Sequence, residues 1–147
     1  MAYELEAFLG AESTVDAAIR DIDQACCVPL AQGVAMIPMT RGLSEALQAK
    51  YGRPGDDSTS AVAEWARAAS RHGLLAYCEA AYANVMGGQS AILWEDGAEV
   101  RRIEDDDSVN QVLRLLGVTC EEGLDEWDTV GLGRRRQTER WLDLAKG

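Results

Sequence analysis

Residues 74–103 read LLAYCEAAYANVMGGQSAILWEDGAEVRRI. Three runs within it, over 74–82, 89–94 and 99–103, are apolar, aromatic or β-branched and are separated by turn residues. That is the pattern of short strands rather than of a helix. Asp96-Gly97 is a two-residue hairpin signal, because a type I′ turn needs positive φ at both central positions. Gly87-Gly88 is expected to supply the turn before it. Two hairpins in series make an antiparallel meander, whose open face must be covered by helices. The expected fold is therefore α+β: a single domain over 1–147, with a meander of three or more strands packed against helices.

Towards the N-terminus, Val62, Trp65, Ala66 and Ala69 share one face of a helix that Asp57 or Ser58 can cap and Gly73 stops. Tyr51-Gly52-Arg53-Pro54-Gly55 breaks the chain ahead of it, after a short helix carrying Leu43, Ala46 and Leu47. Pro29 and Pro38 exclude helix interior. Between them a strand is expected over 33–37, with Pro38 favouring an edge or a strand end. Ser13-Thr14-Val15-Asp16 has the form of a capping box, followed by the apolar stripe Val15, Ala18, Ile19 and Ile22. Residues 2–9 are ambiguous between a strand and a helical turn.

Towards the C-terminus, Asp107 or Ser108 starts a helix with Val109, Val112, Leu113 and Leu116 on one face. Ser108 and Gln111 have capping-box spacing, and Gly117 sits at the stop position. An acidic loop over 121–128 follows. The chain then runs through Gly131-Leu132-Gly133 and three arginines, Arg134 to Arg136, into a short helix through Trp141 and Leu144.

Charge is the strongest compositional signal. Asp and Glu total 25 against 14 Lys and Arg, a formal net charge of −11. Such an excess repels a compact domain, so it points to solubility or a cationic partner rather than to folding. The acids come in blocks: 95–107 holds seven acids and two arginines, and 119–128 holds five acids and no base. Nucleic-acid binding is disfavoured, because phosphate contacts need clustered Lys and Arg. No apolar run reaches the roughly 18 residues of a membrane span. The acidic start, Met1-Ala2-Tyr3-Glu4-Leu5-Glu6, lacks the basic and apolar regions of a signal peptide, so a cytoplasmic location is expected. Cys26, Cys27, Cys78 and Cys120 then serve as reduced, small apolar fillers.

No catalytic motif, cofactor motif or metal-ligand spacing stands out, and no cofactor or metal is expected. With no Cys-x-x-Cys pair and His72 the sole imidazole, a zinc site is improbable. His72 sits where a helix C-terminus favours it structurally. Glu104, Asp105, Asp106 and Asp107 lack the alternation and central Gly of a calcium loop. Gly131 to Arg136 suits an anion but lacks P-loop order, and its arginines are expected to neutralise the acids before them. The expected partner-binding residues are Glu104, Asp105, Asp106, Asp107, Glu121, Glu122, Asp125, Glu126 and Asp128. Trp127 joins them, as a core anchor or as an exposed anchor for a basic partner.

Tyr77-Cys78-Glu79-Ala80-Ala81-Tyr82, Gly87-Gly88-Gln89-Ser90-Ala91 through Trp94, and Asn110-Gln111-Val112-Leu113 with Leu116-Gly117-Val118 resemble a family of small actinobacterial proteins. The most specific part is Asp125-Glu126-Trp127-Asp128, followed by Gly131-Leu132-Gly133-Arg134, Arg136, Thr138, Glu139 and Trp141. The resemblance covers roughly 74–141. The family usually carries Phe where Trp127 stands, and no catalytic or binding residue carries over from it. In size, acidity and lack of catalytic motifs it looks like the immunity proteins of bacterial toxin systems.

Three functions are weighed from these features. The first is an acidic cytoplasmic binding protein that neutralises a basic, toxin-like protein. The alternative is a small-molecule-binding protein or enzyme with a pocket against the central sheet, containing Tyr77, Tyr82, Gln89 or His72. A structural subunit of a larger assembly is a third.

Overall fold

In chain order the strands are β1 (Tyr3–Ala11), β2 (Val28–Pro29), β3 (Val34–Pro38), β4 (Leu75–Ala83), β5 (Met86–Glu95) and β6 (Ala98–Ile103). The helices are α1 (Glu12–Ala18), α2 (Arg41–Tyr51), α3 (Ser58–Ala69), α4 (Ser108–Leu115) and α5 (Glu126–Val130). The computed structural model describes residues 2–52, 58–83 and 86–145. The strands form one six-stranded antiparallel sheet in the order β2-β3-β1-β4-β5-β6. The chain is a single α+β domain, and β4-β5-β6 is the expected meander.

Of the ambiguous residues 2–9, all but the first resolve as strand, and β1 lies in the middle of the sheet between β3 and β4. Its alternation sorts the core. Tyr3, Leu5, Ala7 and Leu9 point into a cluster closed by Val109, Val112, Leu113, Val130, Leu132 and Trp141. Phe8 points the other way, into a cluster closed by Val15, Leu43, Leu47 and Trp65. Both faces are therefore covered, with α1, α2 and α3 on one and α4, α5 and the C-terminal segment on the other. Glu4 and Glu6 alternate with buried Tyr3, Leu5 and Ala7, but from Ala7 to Gly10 every residue is buried and the alternation disappears, which explains the strand's ambiguity in sequence. Each fully buried large side chain contributes about 1.5–3 kcal/mol, and Phe8, Leu5, Leu9, Trp65 and Trp141 are all in this class.

Several local expectations change. Gly87 and Gly88 are not the turn; they lie within β5, opposite Tyr82 and Ala81. At Gly87, with φ 152°, a side chain would collide with the Ala81 carbonyl and the Tyr82 ring, so glycine there permits close approach within the ladder. β4 ends at Ala83 and β5 begins at Met86, and residues 84–85 lie outside the described residues. Asp96 and Gly97 do form the hairpin turn, with φ of 53° and 89°. In the next ladder Leu93 faces Arg101 and Trp94 faces Glu99, which leaves Val100 as an extra, bulged residue of β6.

Ser13 caps nothing. The helix α1 begins at Glu12 directly out of β1, with Ala11 at the cap position. Thr14 Oγ1 instead donates to the His72 carbonyl, 3.3 Å away. The cap of α2 is Thr40, whose Oγ1 accepts from Leu43 N at 3.1 Å. The expected cap of α3, Asp57 or the Ser58 side chain, lies outside the described residues. Pro38 ends β3, which is an inner strand because two-residue β2 covers its far side. The tail forms 3-10 turns over Thr138–Leu144 with Trp141 fully buried. It continues beside β1 where β3 has ended: Glu4 N–H donates to the Arg136 carbonyl at 2.8 Å and Glu6 N–H to Thr138 Oγ1 at 3.0 Å. Backbone pairing thus ties the tail to the body. Arg134 Nε bonds the Gly131 carbonyl (3.2 Å) and Arg135 Nη1 the Arg134 carbonyl (2.9 Å), not the acids of 121–128 as expected.

Candidate functional site

Two features carry the site: an acidic face around the first turn of α4, and a cleft on the other side of the sheet. The first turn of α4 is held from a distance. Gln89 on β5 reaches over and its Oε1 accepts from Val109 N at 2.9 Å, while its Nε2 donates to Tyr82 Oη at 2.6 Å. Gln89 and Tyr82 are thereby engaged in structure rather than in a pocket. Ser108 Oγ accepts from Asp105 N at 3.0 Å and closes the preceding turn. The expected Ser108–Gln111 box does not form, and the Gln111 side chain turns outward.

Adjacent residues of α4 then gather the two acidic blocks. Gln111 Nε2 donates to Asp105 Oδ2 at 3.0 Å and to Asp107 Oδ1 at 2.6 Å. Asn110 Nδ2 donates to Asp125 Oδ2 at 3.2 Å, and Asn110 Oδ1 accepts from Trp127 N at 2.8 Å. Asp125 in turn caps α5, its Oδ1 accepting from Asp128 N at 2.9 Å. Amide side chains orient these carboxylates without neutralising them. Asp106, Glu121, Glu122 and Asp128 are exposed around the same segments.

Glu126 and Trp127 are placed differently from their neighbours. Glu126 is only 3% exposed, with Arg114 Nε 2.8 Å from Oε1 and the Cys120 thiol donating to Oε2 at 2.9 Å. The thiol and then the guanidinium hold its carboxyl below the usual range, against the opposing effect of burial. Trp127 is half-buried against the core, its ring centroid 5.1 Å from that of Tyr3. Tyr3 Oη donates to the Leu132 carbonyl at 2.9 Å, so the pair fastens α5 to the sheet.

The cleft opens where α2 and α3 stop covering the sheet. It encloses about 360 Å³, the low end of the size of small-ligand pockets. Its floor follows the strand register. One row across β1, β4 and β5 is Glu6, Glu79, Ser90; the next, across β1 to β6, is Phe8, Tyr77, Ile92, Arg102. Ser44 of α2 and Val62 and Ala63 of α3 form the far wall, and Glu104 lies at the β6 end. Tyr77 is steadied by Phe8, at 5.0 Å between centroids, and Phe8 by Trp65 at 5.1 Å.

Glu6 and Glu79 face each other directly. Glu6 gives its N–H to Thr138 and its carbonyl to Met39 N at 2.7 Å, so neither group bonds β4 here. The two glutamates therefore form a non-hydrogen-bonded pair, the type with the closest side chains, at a Cα separation of about 4.5 Å. Among the described residues neither has an ion-pair partner, and Arg102 is paired with Glu99 at 2.8 Å. Burial first, then Glu79 and Glu4, raise the Glu6 carboxyl above its usual value. Burial, with Glu6 and Glu79 adding to it, pushes the Tyr77 phenol far up, so it stays a neutral hydrogen-bonding group. The cleft is thus lined by both apolar and polar side chains, with half-buried Glu6, exposed Glu79 and the Tyr77 phenol close together in its floor and Arg102, paired with Glu99, at its β6 end. The two facing carboxylates suit the cleft to holding a cation. His72 is exposed at the end of its 3-10 turn and does not line it.

Sequence reasoning singled out Tyr77 and Glu104 but missed Glu6 and Glu79. The available signal was an acid at an alternating position inside each apolar run, Glu6 (with Glu4) in Tyr3-Glu4-Leu5-Glu6-Ala7 and Glu79 in Cys78-Glu79-Ala80. Among the described residues no group of three or more His, Cys, Asp or Glu is placed to hold a metal ion, and no helix is long and apolar enough to cross a membrane. Comparison with family models, curated proteins and solved structures finds no match.

Proposed function

We propose that the chain is an acidic binding protein that neutralises a basic protein partner, in the manner of an immunity protein of a bacterial toxin system, within the cytoplasm. One observation carries this reading: Asn110 and Gln111 hold carboxylates of both acidic blocks beside one helix turn, through neutral amides. A carboxylate held by an amide is pre-oriented yet keeps its full charge, so less side-chain freedom is lost when a cation arrives. The exposed acids around it widen the field that steers a basic surface into encounter. Glu126 and Trp127 support this surface from beneath.

The test is co-purification of the partner from the native host, followed by the association rate of the pair measured by stopped flow. A fall of at least tenfold from low to high salt is expected. Neutralising Asp106, Glu121 and Glu122 together (D106N/E121Q/E122Q) should slow association and leave the thermal midpoint in place. A rate indifferent to salt removes the electrostatic mechanism.

The cleft favours a second reading, a small-molecule-binding protein or enzyme with its pocket against the central sheet. Its lining supports the binding of a small cation more directly than a reaction. Uniformly silent thermal shifts with nucleotides and metals would count against it.

A further inference from the structure

Glu104 belongs to both features: it opens the 104–107 block and lines the cleft. The cleft also runs on into a neighbouring depression with which it shares Glu6, Met39 and Ser44, and which adds Glu4 together with Glu45 and Glu139, the last two held by the Arg41 guanidinium (3.1 Å) and the Arg41 N–H (2.8 Å). Glu104 therefore sits at the β6 edge between the two faces, where a basic protein meeting 104–107 can extend a side chain round that edge toward the two facing carboxylates of the cleft.

We propose that this cleft is the seat of an arginine side chain presented by the basic partner, its guanidinium lying between Glu6 and Glu79 beside Tyr77. The inference rests on the reading of a basic protein partner. Three features select the occupant. The facing carboxylates repel each other, and like charges directly opposite in a sheet destabilise it; a cation placed between them reverses that sign. The floor and wall at Ile92, Val62 and Met39 are apolar, which suits the aliphatic stem of a long basic side chain. The acceptors lie in two carboxylates and a phenol, which a planar fork with five N–H donors fills better than a compact ammonium, and a guanidinium also sheds water more readily.

The test titrates the full chain with N-acetyl-L-arginine amide, followed by backbone-amide NMR and calorimetry. Its citrulline analogue keeps the shape and lacks the charge. Saturable shifts at β1, β4 and β5 around Glu6, Glu79 and Ser90 are expected, with affinity at least tenfold weaker in both Glu79→Gln and Glu6→Gln. Each variant relieves a repulsion, so each should fold. The citrulline analogue should bind at least tenfold more weakly than the arginine probe. Equal responses to both probes, shifts confined to 105–111, or unaltered binding in both variants overturns the inference. A silent cleft beside an intact salt-sensitive complex overturns this inference alone. A cleft that binds arginine beside a salt-indifferent complex supports the guanidinium site and overturns the proposed function instead.

Discussion

Gln89 of β5 and Val109 of α4 are joined by a 2.9 Å hydrogen bond in which the side-chain carbonyl accepts the helix N–H. A residue twenty positions away thus supplies the cap that the helix's own first residues do not. Gln89→Ala is expected to destabilise the fold by about 1 kcal/mol, the usual loss on deleting a cap. Gln89→Glu keeps the acceptor and should recover most of it. Chemical-denaturation midpoints of the two variants check this.

Glu6→Gln should stabilise the protein near neutral pH by about 0.2–1 kcal/mol, the scale of a directly opposed like-charge pair. The Glu6 carboxyl is raised in the folded state, so its protonated form is the stabilising one. That stability is complete below the unfolded value and is lost as pH rises through the folded one. The advantage of Glu6→Gln should accordingly be full at neutral pH and close as the pH drops below about 4. A gap that widens on acidification would contradict the placement of Glu79 opposite Glu6.

The pair of Arg114 with Glu126 behaves in the opposite sense. The Glu126 carboxyl is lowered, chiefly by the Cys120 thiol and Arg114, so its contribution is present above the unfolded value and is lost as pH falls through the folded one. Arg114 is itself 55% exposed, which places the pair between a surface bridge and a buried one. Arg114→Ala should therefore lose about 1–3 kcal/mol at neutral pH. Thermal melts at pH 7 and pH 3 should show the difference between variant and parent shrinking in acid.

Trp127→Ala should destabilise by about 2–3 kcal/mol, less than the 3–5 of a fully buried tryptophan because the ring is only half-covered. Trp127→Phe preserves the contact with Tyr3 and should lose less than half of that. Were Trp127 instead a free anchor for a partner, its removal would leave the melting curve where it was.

What could be read in the chain followed the range of the interaction. The Asp96-Gly97 turn, the Trp65 face of α3 and the Val109 face of α4 depend on neighbours in sequence, and all were legible. The caps of α1 and α4 were not. Ser13 lost its role because β1 runs straight into Glu12, and Ser108 because Gln89 arrives from another strand. Gly87-Gly88 looked like a turn because close approach to Tyr82 and a reversal of direction both call for glycine. The cleft was hidden for a related reason: Glu6 meets Glu79 only once β1 slots in beside β4, a register no local pattern specifies. The acidic blocks were plain in composition, but the amides of Asn110 and Gln111 that bring them together were not.

The bulge at Val100 reaches beyond its own hairpin. It distorts β6, the long outer strand of the sheet, and the other border ends after two residues at Pro29. Neither rim offers a straight row of free amides and carbonyls for a second molecule to extend. Addition of a further strand is thereby disfavoured at both borders of the sheet.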